Sequence, residues 1–281
     1  MNKNLGIVIT GGSKGLGYAM AREFLLSGDR VVICARDKTR LENAVRSLKK
    51  EIPTAEVYAI DCDVSNNLDV ERLENFVKEK LVTIDRWINN AGRASSKRRP
   101  LWDLEAEDIA ATCHTNLLGS MLLCAAAIRL MKQQKSSHQP IYHIFNLGFS
   151  NFGANFSKST VPHKASKRGV AEITHFLGQE LKQAKINSIG VHELSPGLVL
   201  TDLLLADTTP KVRKFFNALA EEADTVAAYL VPKIRNIQGS NTNVRYLTPL
   251  GASIKIIFRI PQIINGGRFF DNNGDRVVKI K

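Results

Sequence analysis

The chain is poor in the features that mark several large protein classes. Its 281 residues hold four cysteines, Cys34, Cys62, Cys113 and Cys124, and none of them stand at metal-ligand spacing. Two of the four sit at the ends of apolar runs, so buried free thiols are expected rather than a metal centre or a disulfide framework. No stretch reads as the roughly 20 consecutive apolar residues that a membrane span needs. A signal-like apolar leader is missing before the first strand, and together with unpaired cysteines this points to a reducing, cytoplasmic setting. Repeats and low-complexity tracts are absent too. Acid is scarce beside base: 27 Asp and Glu face 39 Lys and Arg, a formal charge of +12. Such a surface attracts anions, whether a phosphorylated cofactor, anionic lipid heads or nucleic acid. Nucleic acid is set aside, because neither an aromatic-and-basic ribbon nor a helix-turn-helix pattern accompanies the charge. Lys97-Arg98-Arg99, the densest basic run, reads as a solvated surface loop.

What is present is alternation. Leu5 to Ile9, Val31 to Ala35, Val57 to Ile60, Ile84 to Ile88, Ile141 to Leu147 and Ile186 to Leu194 read as strands, with Val244 to Thr248 as a seventh. Stretches of helical period lie between them, and right-handed crossovers then give an α/β fold with a doubly wound, Rossmann-like parallel sheet. Leu203 to Ala220 reads as a mobile lid, and Thr225 to Ile234 as the helix beneath it. Residues 1–249 are expected to form one domain, followed by an extension over 250–281. Leu250 to Ile260 in that extension is apolar except for Lys255 and Arg259, four apart on one helical face. A buried or dimer-covering helix and a helix lying on a membrane surface both fit this pattern.

One local pattern carries chemistry. Thr10-Gly11-Gly12-Ser13-Lys14-Gly15-Leu16-Gly17 follows an apolar run and opens an amphipathic one. Strand, glycine turn and helix in that order build a phosphate cradle: the turn lets a pyrophosphate approach the main chain, and the helix start offers unpaired N–H groups and a partial positive charge.

The spacing Gly-x-x-x-Gly-x-Gly resembles that of the short-chain dehydrogenase/reductase family. Further marks follow in family order: Asp63-Val64 after the third strand, Asn89-Asn90-Ala91-Gly92 after the fourth, Asn116 within Thr115-Asn116-Leu117-Leu118-Gly119, then Ser195-Pro196-Gly197 and Thr201. The resemblance implies a nicotinamide cofactor held by Gly11, Ser13, Lys14, Gly15, Leu16, Gly17, Arg36, Asp63, Val64, Asn90, Ala91, Gly92, Lys167, Pro196, Gly197 and Thr201. Where the family holds a ribose hydroxyl of NAD with an acid after the second strand, this chain reads Cys34-Ala35-Arg36. Arginine offers a planar fork of donors to a 2′-phosphate, and Lys14 is expected to add a second cation, so NADP(H) is predicted over NAD(H).

Carbonyl reduction needs hydride on carbon and a proton on oxygen. The family supplies the proton from the tyrosine of Tyr-x-x-x-Lys, with a serine and an asparagine nearby. At the matching place stands His163-Lys164-Ala165-Ser166-Lys167. Lys167 and Asn116 keep their implied roles, and His163 takes the tyrosine's position. Ser150 lies thirteen residues before His163, the family interval, whereas counting from Asn146 puts the serine's place on Gly148 or Phe149. An unperturbed imidazole titrates near pH 6.5 and a neighbouring ammonium lowers that further, so a neutral His163 is expected.

His143-Ile144-Phe145-Asn146, Leu194 to Leu205, Tyr246-Leu247-Thr248-Pro249 and Gly267-Arg268-Phe269-Phe270-Asp271 look like one branch of the family, the chlorophyll(ide) b reductases. That branch reduces a pigment's 7-formyl group with NADPH at photosynthetic membranes. The resemblance implies a small-molecule carbonyl substrate of tetrapyrrole type, peripheral membrane contact, and a homo-oligomer formed through Leu117 to Ile128 and Val170 to Leu181. Two other readings stay open: a generic alcohol dehydrogenase or ketoreductase, and, because of His163, an NADP-binding sensor or pigment carrier.

Overall fold

Every strand of the main sheet runs in one direction in the computed structural model, which describes residues 4–149 and 159–277. In chain order the strands are β1 (Gly6–Thr10), β2 (Arg30–Ala35), β3 (Val57–Asp61), β4 (Arg86–Asn89), β5 (Tyr142–Leu147) and β6 (Ile189–Ser195). Then come β7 (Leu198–Leu200), β8 (Ala220–Glu222) and β9 (Asn243–Arg245). The seven-stranded sheet has the order β3-β2-β1-β4-β5-β6-β9. Chain direction across the sheet reverses between β1 and β4, and the crevice outside their carboxyl ends is where open α/β sheets bind ligands.

Alternating side chains give the sheet two apolar faces. Ile7, Ile9, Val31 and Ile33 pack on one side with α1 (Gly15–Leu26), α2 (Lys38–Glu51) and the helix at Ala223–Arg235. Val8, Val32 and Ile144 pack on the other, against α3 (Asn67–Lys80) and the helix at Gly119–Lys132. A buried ladder joins strands to helix beneath the crevice: Asn89 Nδ2 donates to Asn146 Oδ1 at 2.7 Å, and Asn146 Nδ2 donates to Thr174 Oγ1 at 3.0 Å.

Four details depart from the sequence reading. The last strand of the main sheet ends at Arg245, because Thr248 already caps the following helix by accepting from Gly251 N. The small parallel pair β7·β8 was not foreseen. The lid region resolves into α7 (Asp202–Leu205) and α8 (Pro210–Leu219), after α4 (Ala106–Cys113), α5 (Gly119–Lys132) and α6 (Val161–Gln183). Finally, α4 and α5 join through a π-helical turn at His114–Leu118 into one 27-residue helix, long and apolar enough by length and composition to cross a membrane. Its buried Leu123, Ala126, Ala127, Leu130 and Met131 lie in the core against the sheet, so its apolar character is that of a core helix.

After α9 (Ala223–Arg235) the chain forms α10 (Pro249–Phe258) and α11 (Ile260–Asn265) and then returns across α8. Asn217, fully buried, pins this return: its Oδ1 accepts from Phe269 N and Phe270 N at 2.8 and 2.9 Å, and its Nδ2 donates to Phe270 O at 2.9 Å. Glu221 supplies a second anchor, accepting from Lys255 at 2.8 Å and Arg268 at 2.5 Å, with Arg259 at 3.7 Å. Burial pushes this carboxyl up, but Lys255 and Arg268 outweigh it and hold the group below the ordinary carboxylate range.

Candidate active site

The glycine turn after β1 leaves the start of α1 open. Gly15 sits at φ +58°, a left-handed conformation that favours glycine, and a Cβ on Gly17 would lie 2.3 Å from the Gly11 carbonyl oxygen. Asp37 caps α2 and Asn66 caps α3, whereas no side chain caps α1 and no acid stands in its first turn. Its N–H groups and dipole are thus directed at the crevice, as an anion site requires. Asn90 does not reach outward: its Nδ2 donates to the carbonyls of Thr10 and Gly11 at 2.9 and 3.2 Å, while Ala91 N donates to Thr10 Oγ1. These bonds lock the end of β4 to the turn.

A cleft of about 1670 Å³ begins here. Of the residues assigned to the cofactor from sequence, Gly11, Ser13, Lys14, Gly15, Leu16, Arg36, Val64, Asn90, Ala91, Gly92, Lys167, Pro196, Gly197 and Thr201 line it. Gly17 is buried beneath the turn. Asp63 also stays outside the lining, because its Oδ1 accepts from Ser65 N and Oγ at 2.9 and 2.6 Å and shapes its own turn. The Lys14 ammonium donates to Asp202 Oδ2 at 2.5 Å, bridging the glycine turn to α7. Arg40, which the sequence reading does not name, lines the cleft together with Arg36. The four-residue spacing of two arginines at a helix start was the available signal.

At the other end lie Lys167 and His163 of α6. Lys167 Nζ donates to Leu147 O at 2.9 Å, and burial pushes its pKa down to about 8. Asn116 sits in the π-helical turn, fully buried, with its amide spent inside the protein: Oδ1 accepts from Arg93 N, and Nδ2 donates to Arg93 O and Ser166 Oγ. Its side chain therefore fastens the loop after β4 to α6, and Asn116 does not line the cleft. Ser150 lies outside the described residues. Gly148 and Phe149, the alternative places for that serine, both line the cleft and bring no hydroxyl.

His163 is buried, its ring edge-on to Phe149 at 5.3 Å between centroids. Nδ1 stands 2.6 Å from Ser159 Oγ, and Nε2 has no hydrogen-bond partner among the described residues. Burial, with Lys167 and Arg98 adding to it, pushes its pKa down to about 3, so the ring is neutral at pH 7. Arg98 corrects another expectation. Lys97 and Arg99 are exposed as a solvated loop predicts, but Arg98 is half-buried and donates from Nε to Ala206 O and from Nη2 to Leu204 O. It ties the loop after β4 to the chain around α7.

Beyond His163 the cleft wall turns apolar, with Leu204, Phe215, Phe216, Leu219 and Leu247 joined by Ala252, Ile256 and Ile263 of the C-terminal helices. The four cysteines are free thiols; Cys34, Cys62 and Cys124 are buried.

The short chain dehydrogenase model matches residues 6–211. Chlorophyll(ide) b reductase NOL, chloroplastic, of Oryza sativa subsp. japonica is 42% identical over 259 residues, covering 90% of this chain and 74% of that protein. Its namesake in Arabidopsis thaliana is likewise 42% identical over 259 residues, covering 90% and 73%. Among solved structures, an alcohol dehydrogenase from the archaeon Thermococcus sibiricus, complexed with 5-hydroxy-NADP, has a TM-score of 0.68 at 21% identity, covering 88% of this chain and 99% of that one. That last likeness is one of fold. By the matched family model, the sheet order and the relatives that share nine-tenths of its length, the chain belongs to the short-chain dehydrogenase family of oxidoreductases.

Proposed function

We propose that this chain is an NADPH-dependent reductase of the formyl group of a chlorophyll(ide) b-type pigment. The observation that carries the reading is the continuity of one cleft, from paired arginines through an uncapped helix start to Lys167 and His163, and on to an apolar wall. The uncapped α1 fits a pyrophosphate, and Arg36 with Arg40 fits a 2′-phosphate. When bound there, the cofactor would supply hydride. Lys167 would hold the nicotinamide ribose, and its buried charge would favour a developing alkoxide. His163 would give the proton. An apolar wall built partly by the extension suits a flat, greasy macrocycle.

The surface adds the setting. Lys255 and Arg259 turn inward to Glu221, which leaves Leu250, Ile254, Ile257 and Phe258 on the outside of α10, Phe258 being 79% exposed. That apolar face supports peripheral contact with a membrane, and the two plant relatives are chloroplastic by name. Leu118 just before α5, Met121 on α5 and Phe176 on α6 are exposed on the faces through which a homo-oligomer would form.

Purified protein mixed with NADPH and chlorophyllide b tests the reading. Formation of the hydroxymethyl pigment with matching loss of NADPH absorbance is expected. Reduction of simple ketones with no effect on chlorophyllide b would move the assignment to a generic alcohol dehydrogenase. His163 in the tyrosine's place favours a second reading, a cofactor-binding sensor or pigment carrier without turnover. A large gain of activity on His163→Tyr from a silent parent would support it.

A further inference from the structure

We propose that Ser159 sets the proton on His163: its hydroxyl donates to Nδ1 and so holds the neutral ring in the tautomer whose Nε2–H faces the substrate. The inference rests on the reading that a carbonyl is reduced in this cleft. Ser159 stands one helical turn before His163, just ahead of α6, and both residues line the cleft. The 2.6 Å separation of Oγ and Nδ1 commits one ring nitrogen to a hydroxyl that can donate as well as accept. The other nitrogen is buried within a ring only 8% exposed and meets no partner among the described residues. A buried polar atom left unpaired costs stability unless a ligand completes it. The reduced carbonyl presents an oxygen that needs a donor, which is what Nε2–H supplies and a bare Nε2 does not.

The pairing also answers how a neutral imidazole gives up a proton. Lys167 on the same helix and Arg98 on the loop after β4 are the charged groups acting on the ring, and with burial they oppose an imidazolium. A neutral ring that simply lost Nε2–H would become an anion, which is costly. With Ser159 in place the transfers are linked. The bound NADPH would supply hydride to the carbonyl carbon, itself becoming NADP+, and the C=O π pair would move to oxygen. Nε2–H passes its proton to that oxygen, Nδ1 takes the Ser159 proton, and water reprotonates Oγ, leaving hydroxide to the solvent. The ring stays neutral throughout and ends as the other tautomer, which returns by exchange with water. Ser159 acts through His163 and is a positioning residue.

The test has two arms on the full chain. The first is 15N NMR of histidine-labelled protein without cofactor, with His163 assigned by its loss in His163→Tyr. Proton on Nε2 in the parent and a mixed or inverted tautomer in Ser159→Ala are expected. Proton on Nδ1 in the parent overturns the proposal whatever the enzyme turns over. The second arm is kinetic, with NADPH and chlorophyllide b. Ser159→Ala should lower kcat by about 10- to 100-fold, a share of what acid catalysis contributes, with KM within about twofold. Ser159→Thr, which keeps the hydroxyl, should restore most of the rate. In the His163→Tyr background Ser159→Ala should have no effect on kcat. An equal loss in that background, or a threonine variant as slow as alanine, overturns the relay. Should no variant turn over pigment, the reductase reading fails, and the tautomer measured by NMR still decides whether Ser159 orients the ring.

Discussion

The two ends of the cleft are built in different ways. At the end proposed to take the phosphates the lining is largely main chain: a left-handed Gly15, a Gly17 with no room for a Cβ, and an α1 start that no side chain caps. At the end proposed for the reaction the prominent groups are side chains with depressed pKa values, Lys167 near 8 and His163 near 3, both buried. Backbone geometry binds a common feature of all dinucleotides. Side-chain chemistry decides which reaction follows, and one substitution there can alter it while the binding end stays intact.

If the two ends are separable in this way, His163→Ala should give the largest effect. A loss of about 1000-fold in kcat is expected from removing the proposed proton donor, with NADPH affinity within about twofold. Isothermal titration beside steady-state kinetics checks both numbers, and a parallel loss of affinity would break the comparison. The converse variant is Arg36→Ala with Arg40→Ala. Removing two cations from the adenosine end should weaken NADPH by about 100-fold, leave NADH nearly unchanged, and spare kcat at saturation. Equal affinities for the two dinucleotides in the parent would contradict the cofactor assignment.

Glu221 tests the wall between the ends. Glu221→Gln leaves Lys255, Arg259 and Arg268 without their shared anion. Those cations are partly exposed, so the cost should be about 2 kcal/mol, less than for a fully buried pair. Limited proteolysis should then cut near α10 and α11 before the sheet unfolds. The smallest effect is one of pH. Burial lowers the Lys167 pKa from 10.5 to about 8, so its charge is present below pH 8 and is lost as pH rises through that value. NADPH affinity should fall by about tenfold between pH 7 and pH 9 in the parent, and Lys167→Met should flatten the profile. Persistence of the fall in that variant would assign it to another group.

Much of the phosphate end was legible in the sequence because its determinants are contiguous. The glycine turn, Arg36 and the Asn90-Ala91-Gly92 segment are read from neighbours along the chain, and the doubly wound parallel sheet follows from the alternation of runs. The reactive end was legible only where a fixed helical spacing carries it, as between His163 and Lys167. Contacts made across the fold were hidden. Arg98 grips the chain at Leu204, 106 residues on, and Lys14 reaches Asp202, 188 residues on. Neither pairing leaves a local pattern. The partners of Asn116 were hidden as well: the π-helical turn carries its amide toward Arg93 and Ser166, a geometry that residue spacing does not reveal. The inward turn of Lys255 and Arg259 was likewise invisible until β8 brought Glu221 beneath them.

Rapid mixing of the NADPH-loaded protein with chlorophyllide b, followed at the nicotinamide and pigment absorbances together, is the most direct measurement. The account predicts one NADPH consumed for each hydroxymethyl pigment formed, with the rate collapsing in His163→Ala. Bound NADPH that stays reduced in the parent and reacts only after His163→Tyr would contradict it.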